Sequence, residues 1–208
     1  MKKLSLIYLS LFILIFYGCE EPVFIFDPSK PSLPIYTEKG YNVAGAEVNE
    51  EYWNSSLGGG SLFKRPDTVQ IIRDVGKGKL VLIVPGTITK QNDEINERKF
   101  LTLIINTDQI QSFADLPNLN NTSFQLDNSS AYGLVSDPFY YGSRYANLEV
   151  QSSSGKLNFL NARYERETSS VIISGTFGFD YVDYNGNDNS VYYGRFDFKI
   201  YESMFKTL

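Results

Sequence analysis

The chain has 208 residues, with 19 basic and 24 acidic side chains, no histidine and one cysteine. Without an imidazole there is no Ser-His-Asp or Cys-His catalysis and no histidine-ligated zinc or iron site, and a lone thiol excludes an internal disulfide and a thiolate metal cluster. A net charge of −5 with no clustered Lys or Arg excludes nucleic acid as an expected partner.

Lys2 and Lys3 precede the uncharged stretch Leu4 to Tyr17, dominated by Leu, Ile and Phe, which stops at Gly18-Cys19. That is a signal-peptide pattern, and the run is shorter than the roughly 20 apolar residues that a membrane-crossing helix needs. The segment Ile15-Phe16-Tyr17-Gly18-Cys19 resembles the lipobox of bacterial lipoproteins, in which a small residue precedes a cysteine that is acylated and becomes the mature N-terminus. Tyr17 is bulkier than the residue usual there. The resemblance implies that residues 1–18 are removed, that Cys19 carries the lipid, and that the protein is held at the outer membrane, facing the periplasm or the cell surface. Each buried acyl methylene contributes about 0.8 kcal/mol, so several chains on one cysteine make a stable anchor. Loss of Lys2 and Lys3 leaves 17 basic against 24 acidic residues, a balance of −7.

Residues 19–39 contain Glu20-Glu21 and then Pro22, Pro28, Pro31 and Pro34, without sustained periodicity. Proline fixes φ and removes a donor, so the expectation is an extended, solvated tether, with Phe24 and Phe26 available to dock on the domain or on a partner. The acidic pair resembles surface-export signals of Bacteroidetes lipoproteins.

Residues 40–208 suit a single domain with a sizeable core. Short runs rich in Val, Ile, Phe, Tyr and Thr alternate with Gly, Asn, Asp and Ser clusters, which predicts an all-β fold, an antiparallel sandwich or partly closed barrel. Strands are expected at 41–48, 68–73, 79–84, 100–105, 130–135, 145–151, 156–164, 170–181 and 190–201. Turns are expected at Gly76-Lys77-Gly78, Asn92-Asp93 and Ser154-Gly155, and one short helical turn at Asp108 to Leu116, ended by Pro117.

The last two strands flank Asn185-Gly186, a pair suited to the positive φ angles of a type I′ turn. That turn sets Val171 opposite Ile200, Ile173 opposite Phe198, Gly175 opposite Phe196, Phe177 opposite Gly194 and Phe179 opposite Tyr192, all on one face. The other face pairs Ile172 with Lys199, Ser174 with Asp197 and Thr176 with Arg195, the alternation of a sheet wet on one side. Moving the turn to Gly186-Asn187 keeps the faces; a slip of one would bury Asp197 and Lys199 without partners, at high cost.

The segments Ser174-Gly175-Thr176-Phe177-Gly178-Phe179-Asp180 and Gly194-Arg195-Phe196-Asp197 resemble the C-terminal hairpin of small Bacteroidetes lipoproteins. Val48-Asn49-Glu50-Glu51-Tyr52-Trp53 is similar to the Val-Asn-Gly-x-x-Trp opening of their domain, with Glu50 in place of the glycine. The resemblance implies a β-rich domain outside the cytoplasm and brings no activity and no functional residues with it.

Two segments invite a functional reading. The run Asp180 to Asn189 is dense in oxygen ligands but lacks EF-hand order, so it is read as a hydrated hairpin tip and no metal or cofactor is assigned. In Asp137-Pro138-Phe139-Tyr140-Tyr141-Gly142-Ser143-Arg144-Tyr145 four rings crowd one connection; most are expected in the core, with Tyr140, Tyr141 and Arg144 the candidates for ligand contact. The function expected is a non-enzymatic binding or structural role for an envelope protein with a glycan or protein partner. The alternative is a histidine-free glycan-active enzyme using paired carboxylates drawn from Asp137, Glu149, Asp180, Asp183, Asp188 and Asp197. Cys19→Ser is expected to abolish processing and release the protein from membranes, as read by fractionation; retention in the membrane pellet would contradict lipidation.

Overall fold

The computed structural model describes residues 22–57, 67–89, 96–137, 151–183 and 185–208. The signal peptide, Cys19, the turn expected at Asn92-Asp93 and most of the strand expected at 145–151 lie outside these residues.

Thirteen strands account for most of the described chain: β1 (Phe26–Asp27), β2 (Lys30–Pro34), β3 (Val43–Val48), β4 (Glu51–Ser55), β5 (Gln70–Asp74), β6 (Lys79–Thr89), β7 (Asn96–Asn106), β8 (Thr122–Gln125), β9 (Ala131–Ser136), β10 (Gln151–Glu165), β11 (Ser170–Val182), β12 (Asp188–Tyr201) and β13 (Phe205–Thr207). β1 and β2 form a small ribbon of their own. The others form one sheet in the order β13-β5-β6-β4-β3-β12-β11-β10-β8, with β7 on the second edge of β6 and β9 beyond it. β6 holds two neighbours on one edge, β5 along Lys79–Ile83 and β4 along Gly86–Thr89. All pairings are antiparallel except β13 with β5. The sheet curls into a half-barrel that brings β9 over the inner face of β11, where the Tyr181 hydroxyl donates to Val135 O at 3.1 Å.

The C-terminal hairpin sets the interior. The expected pairs Val171–Ile200, Ile173–Phe198, Gly175–Phe196 and Phe177–Gly194 are all present, and every ring among them is buried. Cβ atoms at Gly175 and Gly194 would lie 2.7 Å and 2.4 Å from the Phe196 and Phe177 rings, so both positions must be glycine for the rings to fit. Phe159, Phe196 and Phe198 form a chain of ring contacts with centroids 5.6 Å apart, in edge-to-face and stacked geometries that add to area burial. Trp53 joins the same core with its indole fully buried. A smaller apolar cluster, Ile72, Val81, Ile83, Phe100, Ile104 and Tyr132, forms on the outer face of β5, β6, β7 and β9.

The structure corrects several expectations. Phe179 pairs with Val191 and not with Tyr192, because β12 bulges at Tyr192-Tyr193, where Tyr193 takes φ 53°. The extra residue is absorbed there and turns Tyr192 to solvent. The turn also differs from a two-residue type I′: Gly186 N donates to Asp183 O, Asp183 N donates to Asn187 O, and Gly186 sits at φ 84°. This is a longer loop closed by one left-handed glycine, which explains the register beyond the bulge. Ser154-Gly155 is no turn; both residues lie inside β10, at a register irregularity. The helical turn lies at Phe113–Leu119 and contains Pro117, and it buries Leu116 and Leu119. A 3₁₀ turn this short loses little to the missing proline N–H, and Asp115 accepts from Gln111 N and Ser112 N to close its start. Between β3 and β4, Asn49 and Glu50 both have positive φ, so the two-residue turn forms although Glu50 stands where glycine would be unstrained.

The largest difference concerns the expected tether. Residues 22–41 run across the outer face of the sheet as a strap, from β4 and β3, where Leu33 and Pro34 are buried, to β12 and β11. Asp197, expected on the wet face, is 1% exposed beneath it. Its carboxylate accepts from the N–H groups of Lys39 (3.1 Å), Gly40 (2.8 Å) and Tyr41 (3.1 Å), and from the hydroxyls of Ser174 (3.0 Å) and Thr37. A buried carboxylate is tolerated only with such donors, and removing it strands all five. Asp197→Ala is therefore expected to cost about 3 kcal/mol, read as a lower urea midpoint, and to open the strap to limited proteolysis before the rest of the chain.

Candidate functional site

Where the strap leaves the outer face of β10–β12 uncovered, a groove of about 400 Å³ remains, lined by Tyr36, Lys156, Asn158, Thr176, Gly178, Tyr193 and Arg195 among others. Its construction follows from the ladder. Lys156 pairs with Gly178, Asn158 with Thr176, and Thr176 with Arg195, so outward side chains of three adjacent strands meet in two rows. Gly178 contributes no side chain and lowers the floor. Asn158 Nδ2 donates to Thr176 Oγ1 at 3.2 Å, and Ser123 Oγ donates to Asn158 Oδ1 at 2.8 Å, which fixes the amide orientation.

Two rings stand over this polar floor, one from each side of the chain. Tyr36 belongs to the strap; burial, reinforced by its hydrogen bond to Glu38 at 2.9 Å, pushes its phenol above the ordinary range, so it stays a neutral donor through alkaline pH. Tyr193 is 56% exposed on the bulge of β12. The Lys30 ammonium sits 4.0 Å from its ring centroid, and Arg195 Nε donates to its carbonyl at 3.2 Å. Lys30 is itself held by Glu47 at 3.1 Å, a hydrogen bond that raises its pKa. A non-glycine residue at φ 53° costs about 1–2 kcal/mol, and here the strain presents a ring to solvent.

Arg195 ties the groove to the strap through an ion pair with Asp27. The hydrogen bond from Arg195, followed by that from Ser29 N, holds the Asp27 carboxyl below the usual carboxylate range.

A second groove, of about 350 Å³, lies towards the hairpin tip between Asn49, Asp180, Tyr181, Asp188, Asn189 and Ser190. Asp180 accepts from Ser154 Oγ (3.0 Å) and Tyr192 Oη (3.3 Å). Beyond it Asp183 is saturated by the tip, accepting from Asn185 N, Asn187 N and Asn187 Nδ2, with its pKa lowered chiefly by the Asn187 N–H. Of the other carboxylates considered from the sequence, Asp137 pairs with Lys99 at 2.9 Å and Asp197 is enclosed beneath the strap. Among the described residues no group of three or more Asp, Glu or Cys side chains is arranged to hold a metal ion.

Tyr140, Tyr141 and Arg144, together with Cys19 and Glu149, lie outside the described residues. The groove residues were not singled out from the sequence. The signal available was Val191-Tyr192-Tyr193-Gly194, where two consecutive rings break the alternation of a half-buried strand and mark a bulge.

Because the Asp27 pKa is depressed in the folded state, its contribution to stability is present above the ordinary carboxylate pKa and is lost as pH falls through the folded-state value. Acid titration of the wild type is expected to show a loss of strap docking below about pH 4 that Asp27→Asn lacks, the variant being already weakened at neutral pH; amide exchange of the strap residues reads it.

Comparison with protein-family models, with curated proteins and with solved structures finds no match to this chain.

Proposed function

We propose that the chain is a lipid-anchored lipoprotein of the cell envelope, held through Cys19, and that its β-domain binds an oligosaccharide without turning it over. The groove between Tyr36 and Tyr193 is the observation that carries this reading. Sugar rings present apolar faces and equatorial hydroxyls, and the groove offers both complements: aromatic walls, half-buried at Tyr36 and exposed at Tyr193, and a floor of amide, hydroxyl, ammonium and guanidinium donors from Asn158, Thr176, Lys156 and Arg195. The basic start and apolar run ending in Gly18-Cys19 support the anchor, and the resemblance of the hairpin to Bacteroidetes lipoproteins accords with it.

The carboxylates weigh against hydrolysis. A glycosidase acid needs a raised pKa, whereas the candidate Asp183 is held below the usual carboxylate range by the Asn187 N–H, which favours its charged form. Half-buried Asp180, bonded to Ser154 and Tyr192, and exposed Asp188 line the groove nearer the tip and not the one walled by Tyr36 and Tyr193.

The test is binding of the Cys19→Ser protein to a panel of envelope oligosaccharides and peptidoglycan fragments. Tyr193→Ala is expected to weaken binding about tenfold, the worth of one stacked ring, and Thr176→Val less, with the fold intact by circular dichroism. Turnover of any panel member that Asp180→Asn abolishes would replace this reading with an enzymatic one.

A further inference from the structure

The strap carries an apolar ridge that the groove does not use. Val23, Ile25, Phe26 and Ile35 are 45%, 44%, 64% and 38% exposed, four of the ten large apolar or aromatic side chains exposed among the described residues, and they occupy one 13-residue stretch. The backbone beneath them is fixed at three points. Val23 N donates to Tyr41 O at 2.9 Å, Ile35 N donates to Ile25 O at 2.7 Å, and Phe26 pairs with Pro34. Ile25 and Ile35 thus stand opposite each other across the ribbon, and Phe24 meets Phe26 edge-to-face with centroids 5.0 Å apart. These side chains stand in water within one short segment, Ile25 and Phe26 projecting from opposite faces of the ribbon, a concentration of apolar surface that marks an interaction site.

The geometry points to the bilayer as that occupant: the ridge inserts into the membrane interface beside the lipidated Cys19 and seats the domain against the membrane surface. The inference rests on the lipid anchor proposed above. Three residues lie between Cys19 and Val23, and the four residue steps, fully extended, span about 14 Å at most. The acylated cysteine lies at the headgroup boundary, so a strap whose Val23 N–H is held by Tyr41, itself bonded to Asp197 of the sheet, has no slack with which to hold the ridge far from it. Amphipathic surfaces of this kind bury about 5–10 Å into the interface, within that reach. Tyr41, whose carbonyl accepts from Val23 N, lies beside the ridge and supplies a ring with a polar tip, the chemistry favoured at headgroup level. The anchor and the ridge together act as two attachments joined by a rigid segment, so docking the ridge costs little additional ordering.

Phe26→Trp provides the probe, because Trp53 is the only native tryptophan and is fully buried. The full-length variant, expressed with its own signal peptide and purified from membranes, is reconstituted in phosphatidylcholine vesicles brominated near the headgroup end of the acyl chains. Mass spectrometry of the mature N-terminus reports lipidation separately. The expected result is emission from the new tryptophan quenched by about half or more, with little further quenching by aqueous acrylamide, as for a ring buried in the interface. A lipidated protein whose new tryptophan stays unquenched by bromine and open to acrylamide overturns the insertion and leaves the anchor standing. An unlipidated mature protein overturns the anchor, and bromine quenching of that protein would still place the ridge in lipid while its absence would dismiss both. Shielding of the tryptophan in a soluble Cys19→Ser dimer, without vesicles, would assign the ridge to a second copy and overturn the proposal.

Discussion

One buried carboxylate organises the outer surface of this protein. Asp197 lies in a sheet whose opposite face is filled with phenylalanine, and a charge in that position requires donors on every free lone pair. The strap supplies four of the five, three of them backbone N–H groups at consecutive residues that side-chain substitution cannot remove. Fixing residues 37–41 fixes what precedes them: Tyr36 over the groove, Leu33 under the ribbon, and Asp27 against Arg195. The groove and the apolar ridge are two sides of a segment whose position depends on that contact.

The inner and outer faces of the terminal hairpin were legible to different degrees, for a physical reason. Inward positions alternate strictly from Val171 to Phe177 and from Phe196 to Ile200, and only one register buries rings while sparing charges, so the pairing could be read from the chain. The Tyr192-Tyr193 bulge left a trace in the chain, two consecutive rings that break the alternation, but pairing Phe179 with Tyr192 treats the strand as regular and passes over the extra residue. Ser154-Gly155 has turn chemistry and lies in a strand nonetheless; β10 is paired with β11 through this region, and that pairing overrides the local preference. The strap was hidden more deeply. Its prolines and lack of period speak for solvated chain, and the group that captures it is a side chain more than 150 residues away. The groove was missed with it, since one of its walls exists only when the strap is docked.

The strand that bears the groove also shows how one irregularity serves two ends. The extra residue at Tyr192-Tyr193 moves Val191 inwards to pack under the half-barrel and sends two rings out. A regular strand would have buried Tyr192 against Phe179 and presented a flat, ungrooved face. The positive φ at Tyr193 is held by neighbours on both sides, Lys30 above the ring and Arg195 at its carbonyl, so the strain is distributed across strap and sheet.

The separation of Asp197 from its donors governs the order in which the molecule can assemble. A ribosome delivers residues 37–41 long before residue 197, and β3 likewise must wait for β12, its neighbour in the sheet. Residues 37–41 are thus made early and are among the last to find their place. High contact order of this kind slows folding and lengthens exposure to aggregation.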